Sequence, residues 1–391
     1  MFAPLTGRAR LFLLLALLAA LTTAAGQHSA APPAAAQAGP GLIVSVESLG
    51  LVTFATGTIF AGTEVGGLSA VTYDAARGVY YVLSDDRSEI NPARYYTVGV
   101  DLGDGSLDPG DVAFQAVTFL KQKNGDAYPP FSLDPEGAYL LRPGQLYISS
   151  EGNADGAPPL DPFVNRFNPD GKLNRELTIP AKFLPDGAET FGVRDNLAFE
   201  SLTAAPDGRK LATATENALH QDGPASSLTD SSPSRLLEFE LGSKRPAREF
   251  VYCVEPIPQA PIPPGAFADN GLSEMQALDN QGTFLAMERS FAVGVGNTVI
   301  LYETSSQGAT DVSAIEALGL SGCPAGAITP MSKSLVADFE QDLGLDPDNL
   351  EGMAFGPALP DGRLVLLVVS DNNFNPSQTT QFIALAVEFA P

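Results

Sequence analysis

Histidine and cysteine are almost absent. The 391 residues include two histidines, His28 and His220, and two cysteines, Cys253 and Cys323. Zinc sites built from Cys and His need more such ligands than that. A histidine phosphatase needs a catalytic His beside arginines, and no such motif occurs. The Gly-x-Ser-x-Gly turn of many serine hydrolases is missing, and His220, alone in a segment after Asn217, reads as an exposed loop residue. There is no Gly-x-x-x-x-Gly-Lys phosphate loop and no dinucleotide fingerprint in a strand–helix unit. Positive charge is scarce as well: 22 Lys and Arg stand against 46 Asp and Glu, a net charge of −24. That argues against nucleic acid as a partner and against docking on an anionic membrane.

Long hydrophobic runs are lacking, with one exception. Leu11 to Leu21 follows Arg8 and Arg10 and precedes Thr22-Thr23-Ala24-Ala25. The run is short for a bilayer span and reads as an export signal over 1–25. An Ala/Pro-rich linker over 26–40 follows, with a single domain expected over 41–391. Losing Arg8 and Arg10 takes the net charge from −24 to −26. The expectation is a secreted or periplasmic monomer with no membrane span in the mature chain. In an oxidising compartment Cys253 and Cys323 are either one disulfide or two buried thiols; sequence leaves both open.

What is abundant points to turns. Gly 38 and Pro 32 make up 70 residues, which suits many short strands better than a helical bundle. One pattern recurs five times: a short apolar segment with a small or acidic residue, a turn, then a strand ending in acids or amides. The anchors Gly67, Glu136, Glu200, Glu274 and Glu351 lie 69, 64, 74 and 77 residues apart. The following strands end in Asp85-Asp86-Arg87, Glu151-Gly152-Asn153, Glu216-Asn217, Glu288-Arg289 and Asp371-Asn372-Asn373. Asp74 to Gly78, Pro206-Asp207-Gly208 and Pro360-Asp361-Gly362 are hairpin-turn chemistry. Each interval holds four strands, so the pattern predicts an all-β propeller of five blades. Six blades stay open if a divergent copy hides between Glu288 and Glu351. In the last repeat only Gln381 to Phe389 remains, so Leu42 to Phe54 is expected to supply the missing outer strand and close the ring. Helix is expected only as short turns, such as Ser332 to Leu343. Asp104 to Asp108 and Asn168 to Lys172 lack the full spacing of a calcium loop and read as hairpin turns.

Asp134-Pro135-Glu136-Gly137, Phe199-Glu200-Ser201-Leu202, Glu274-Met275-Gln276-Ala277-Leu278 and Asn349-Leu350-Glu351-Gly352-Met353 resemble the phytase-like esterase family of exported bacterial proteins. The acid-ended strands share the resemblance, which runs from about Gly67 to Phe389. It implies hydrolysis of a phosphate or other ester. The first repeat departs, carrying Gly67-Leu68-Ser69 where the others carry Glu.

If the anchor segments line a central channel, Glu136, Glu200, Glu274 and Glu351 converge on it as candidate catalytic acids. Asp85, Asp86, Glu151, Glu216, Glu288 and Asp371 then gather at one rim. Like charges held so close demand protonation, a paired Arg or Lys, or a bound cation. Calcium, which takes oxygen ligands, is the cofactor this favours, with the rim acids as metal ligands. Arg87 and Arg289 are candidate phosphate contacts. A plainer reading is that each Glu caps backbone N–H groups and ties blades together. Two functions therefore stand side by side: a metal-assisted hydrolase of a small phosphate or other ester, and a non-catalytic calcium-stabilised propeller that binds a ligand, glycan or protein.

Overall fold

Tight turns make the chain fold back on itself: Gly78 donates its N–H to Asp74 O, Gly208 to Ala205 O and Gly362 to Leu359 O. Each of these turns closes the first hairpin of a four-stranded antiparallel sheet. A computed structural model describes residues 43–142, 144–324 and 326–391; the expected signal segment and linker lie outside the described residues. Blade 1 is β4 (Leu68–Asp74), β5 (Val79–Ser84), β6 (Arg94–Val100) and β7 (Val112–Phe119). Blade 2 is β8 (Pro135–Arg142), β9 (Gln145–Ser150), β10 (Phe163–Phe167) and β11 (Leu173–Glu176). Blade 3 is β12 (Phe199–Ala204), β13 (Lys210–Thr215), β14 (Ser232–Glu240) and β15 (Arg245–Val254). Blade 4 is β16 (Ala268–Ala277), β17 (Thr283–Ala292), β18 (Gly296–Ser305) and β19 (Ser332–Asp338).

Blade 5 takes β20 (Leu350–Ala358), β21 (Leu364–Ser370) and β22 (Thr379–Phe389) from the end of the chain, and its outer strand β1 (Ile43–Ala55) from near the start. Val46 pairs with Val387 and Val52 with Phe382, so the ring is closed as expected. A small hairpin, β2 (Ile59–Phe60) and β3 (Thr63–Glu64), leads into blade 1. The inner strands β4, β8, β12, β16 and β20 pack side by side in a circle. The apolar core divides into five clusters, one in each gap between neighbouring blades. Five gaps settle the blade count at five.

One expected element is different. Ser332 to Asp338 is not a helical turn but β19, the outer strand of blade 4, and turns begin only after it. Asn168 to Lys172 does form the β10–β11 turn, and Asp104 to Asp108 lies in the β6–β7 connection. Cys253 on β15 is bonded to Cys323 with Cα atoms 5.7 Å apart, tying blade 3 to the long β18–β19 connection. Among the described residues no helix is long and apolar enough to cross a membrane. The single 3-10 turn among the described residues is Ala181–Phe183.

Candidate active site

Every inner strand carries an irregularity at the same place. Leu68 pairs with Ser84, Pro135 with Ser150, Phe199 with Thr215, Leu272 with Glu288 and Leu350 with Ser370, and the register slips just after each. A β-bulge leaves a residue out of the ladder and re-aims its side chain. The extra residue falls at Ser69, Glu136–Gly137, Glu200, Ser273 and Glu351. One step beyond each paired position on the second strand stand Asp85, Glu151, Glu216, Arg289 and Asp371. Of these positions Glu136, Glu200 and Glu351 from the inner strands and Asp85, Glu151, Arg289 and Asp371 from the second strands line one cavity.

Pairing therefore puts blade 4 one residue out of step with the repeat read from sequence. A one-residue step turns a strand side chain to the opposite face. Ser273, not Glu274, holds the bulge, and Arg289, not Glu288, joins the rim. Glu274 instead accepts N–H bonds from Leu202 (3.2 Å) and Met275 (2.8 Å), which stitches blade 4 to blade 3. Glu288 accepts from Tyr252 Oη (2.8 Å), Asn270 Nδ2 (3.1 Å), Glu255 N (3.1 Å) and the Lys333 ammonium. Asp86 reaches the cavity wall, but Arg94 (2.7 Å) and the N–H groups of Glu89, Ile90 and Asn91 take up its carboxylate. The capping role fits these three, and none offers a free carboxylate to a ligand.

The others converge. A cavity of about 260 Å³ is walled by Asp85, Glu136, Glu151, Glu200, Glu351 and Asp371, with Arg87 and Arg289. Two triads have carboxylate oxygens within 4.8 Å of one another: Asp85, Glu351 and Asp371, and Asp134, Glu136 and Glu151. Glu216 sits behind Arg289 at 3.7 Å. Arg289 also reaches Glu351 (3.4 Å) and Asp269 (3.2 Å), and Arg87 reaches Asp134 (2.6 Å). Two glycines make the room. A Cβ on Gly67, which has φ +61°, would collide with Asp85, and one on Gly271 with Glu216.

Eight carboxylates (Asp85, Asp134, Glu136, Glu151, Glu200, Glu216, Glu351 and Asp371) thus face two guanidiniums. Burial is the main force on all of them, because a low-dielectric site disfavours the charged form. It pushes Asp134 and Asp371 up to about 6 and Glu216 up to about 7, even with the arginines pulling the other way. Asp85, Glu136, Glu151, Glu200 and Glu351 are held well above the usual carboxylate range by burial, with neighbouring carboxylates adding to it. Burial alone would weaken the Arg289 charge, but Glu216, Asp269, Glu351 and Glu200 outweigh it and keep the guanidinium firmly protonated. Its Nε is buried without a hydrogen-bond partner, so one donor remains to be used.

Sequence reasoning missed Asp134 and Asn349. Asn349 Nδ2 binds both Glu351 (2.8 Å) and Asp371 (3.2 Å). Both precede an inner-strand bulge, at the place held by Gly67, Ala198 and Gly271 elsewhere, so no repeated acid marks the position. Their signal was the motif itself, Asp-Pro-Glu-Gly and Asn-Leu-Glu-Gly. His220 is half-buried, with its backbone N–H bonded to Gly192 O, and does not line the cavity.

The family model for phytase-like proteins, described as esterase-like activity of phytase, matches residues 63–374. No curated protein matches the chain. The solved structure of the Dos1 propeller is similar at 7% identity and a TM-score of 0.34, over 83% of this chain and 69% of that one.

Proposed function

The chain belongs to the phytase-like family, and on that premise we propose that its channel mouth is an ester-hydrolysing site that works with a hard divalent cation, calcium being the expected one. The observation that carries this is the charge imbalance: six carboxylates line one cavity with two arginines, and Asp134 and Glu216 stand behind them against those same arginines. The donor set fits such an ion. It consists of carboxylate oxygens alone, the ligands calcium and magnesium take, and it has none of the Cys or His that zinc favours. The triad of Asp85, Glu351 and Asp371 and that of Asp134, Glu136 and Glu151 would hold it. When bound, a cation supplies charge neutralisation at a phosphoryl or acyl oxygen and lowers the pKa of water. Arg289, held charged by its carboxylate neighbours and with Nε free, orients the anionic end of the ester. Arg87 guards the outer side, where its side chain is about one-third exposed (35%). Glu200 lies in the cavity but outside both triads, and is the group left to carry a proton to the departing oxygen. Export to the periplasm or beyond belongs to the same proposal, through the segment over 1–25.

Hydrolysis of phenyl phosphate and of phenyl acetate, with calcium and with a chelator, tests the reading. Turnover should require the cation and should fall about 100-fold in Glu200→Gln, the usual size of a lost acid–base group. Calcium-dependent stabilisation with no turnover of either ester would leave the protein as a calcium-stabilised binding propeller and end the hydrolase reading.

A further inference from the structure

The cavity wall is not acidic all the way round. Ile90, Phe131 and Phe374 also line it, and they come from neighbouring places in the ring. Ile90 lies in the loop after β5, Phe131 in the link from blade 1 to blade 2, and Phe374 in the loop after β21. Ile90 is 46% exposed and Phe131 53%. Two of the three have a left-handed backbone, Phe131 at φ 59° and Phe374 at φ 50°. Bulky residues rarely adopt this conformation, and such strain concentrates where a ligand is clamped. Burial in the free protein does not offset it at Phe131, since half of that side chain faces water.

The loops are also pinned from below. Asp86 is 4% exposed and receives the N–H groups of Glu89, Ile90 and Asn91. Asn372, fully buried, accepts from both Gly67 N and Phe374 N through Oδ1. Phe131 N donates to Arg87 O at 2.7 Å. Ile90 and Phe131, held out in water on rigid supports beside the partly buried Phe374, are a preformed contact for another apolar group.

We propose that Ile90, Phe131 and Phe374 form an apolar shelf that receives an aromatic or similarly bulky apolar alcohol portion of the ester, with its anionic end directed to Arg289. This rests on reading the mouth as an ester site and adds the substrate class: an aryl-type monoester rather than a small, fully polar one. Covering one such ring should tighten binding about tenfold or more by burial of apolar surface.

The test is calorimetric titration, in calcium, of phenylphosphonate and methylphosphonate, neither of which is hydrolysed. Phenylphosphonate should bind at least about tenfold tighter, and the preference should vanish in the Phe131→Ala/Ile90→Ala double variant while methylphosphonate affinity stays the same. Equal affinities for the two probes, a preference that survives in the double variant, or failure of both to bind, overturns the shelf. A phenyl preference that the double variant abolishes, together with no turnover of phenyl phosphate, supports the shelf and sinks only the hydrolase reading.

Discussion

Two of the clusters of buried charge among the described residues are balanced in opposite ways. On blade 3, Arg235 is fully buried and bonds Asp222 at 2.5 and 2.9 Å and Glu249 at 2.6 Å. Lys182 adds a second cation 3.3 Å from Glu249 and donates to the carbonyls of Ser313 and Ile315. Asp222 also accepts Leu318 N at 2.9 Å. Two acids meet two bases, and the contacts to Ser313, Ile315 and Leu318 tie the β18–β19 connection to this cluster. At the channel mouth eight acids meet two bases. A buried ion network that closes on itself is a structural tie, whereas one left strongly negative calls for something from outside.

The largest expected effect breaks the balanced cluster. Arg235→Met leaves Asp222 and Glu249 buried beside Lys182 alone, and should cost about 3–5 kcal/mol of stability. Chemical denaturation reads this as a lowered midpoint. A variant as stable as the parent would mean that the blade 3 cluster is not closed in the way its distances indicate.

A smaller effect sharpens the contrast at the mouth. Asp134 and Asp371 are raised to about 6 and Glu216 to about 7, above the roughly 4 of an unfolded carboxylate. The folded state therefore holds protons that the unfolded state has already released. With a chelator present, this contribution is complete below pH ~4 and is lost as pH rises through ~6 to 7, by up to ~1.4 kcal/mol per pH unit for each proton concerned. Melting temperature in chelator should thus fall between pH 5 and pH 8. Calcium should raise it more at pH 8, where it no longer displaces protons. A flat profile in chelator, or calcium acting equally at both values, would remove the reason to treat the mouth as unbalanced.

Much of this was legible in the chain. Five acid-ended hairpins and their turn chemistry pointed to five blades, with six left open, and to closure by Leu42 to Phe54; the five four-stranded sheets decide the count. The channel was legible only in part. The repeat gives spacing, but a bulge absorbs one residue without any sequence mark, so counting from glutamates set Glu274 beside Glu136, Glu200 and Glu351. Backbone pairing sets Ser273 there. The same slip hid Arg289 as the one base in a ring otherwise made of Asp85, Glu151, Glu216 and Asp371. Ser332 to Asp338 escaped because it is an outer strand, paired on one side, with Leu335 facing solvent and Val336 partly buried. Its apolar pattern is too weak to show the two-residue period. The apolar shelf left no repeat at all, since its residues come from loops of different length.

The smallest effect bears on the slip itself. Glu200 and Glu274 look alike in sequence, and the register separates them by one residue. Burial holds Glu274 well above the usual carboxylate range, although the Met275 and Leu202 N–H groups pull it back, so its charged form is disfavoured. Gln keeps the oxygen that accepts those two N–H groups and cannot carry the charge that burial disfavours. Glu274→Gln should therefore shift stability by less than about 1 kcal/mol and leave both the calcium-induced rise in melting temperature and ester turnover at parental values. Glu200→Gln, one strand away, should cut turnover. If the two variants lose turnover equally, the bulge is not what selects the side chains that face the channel.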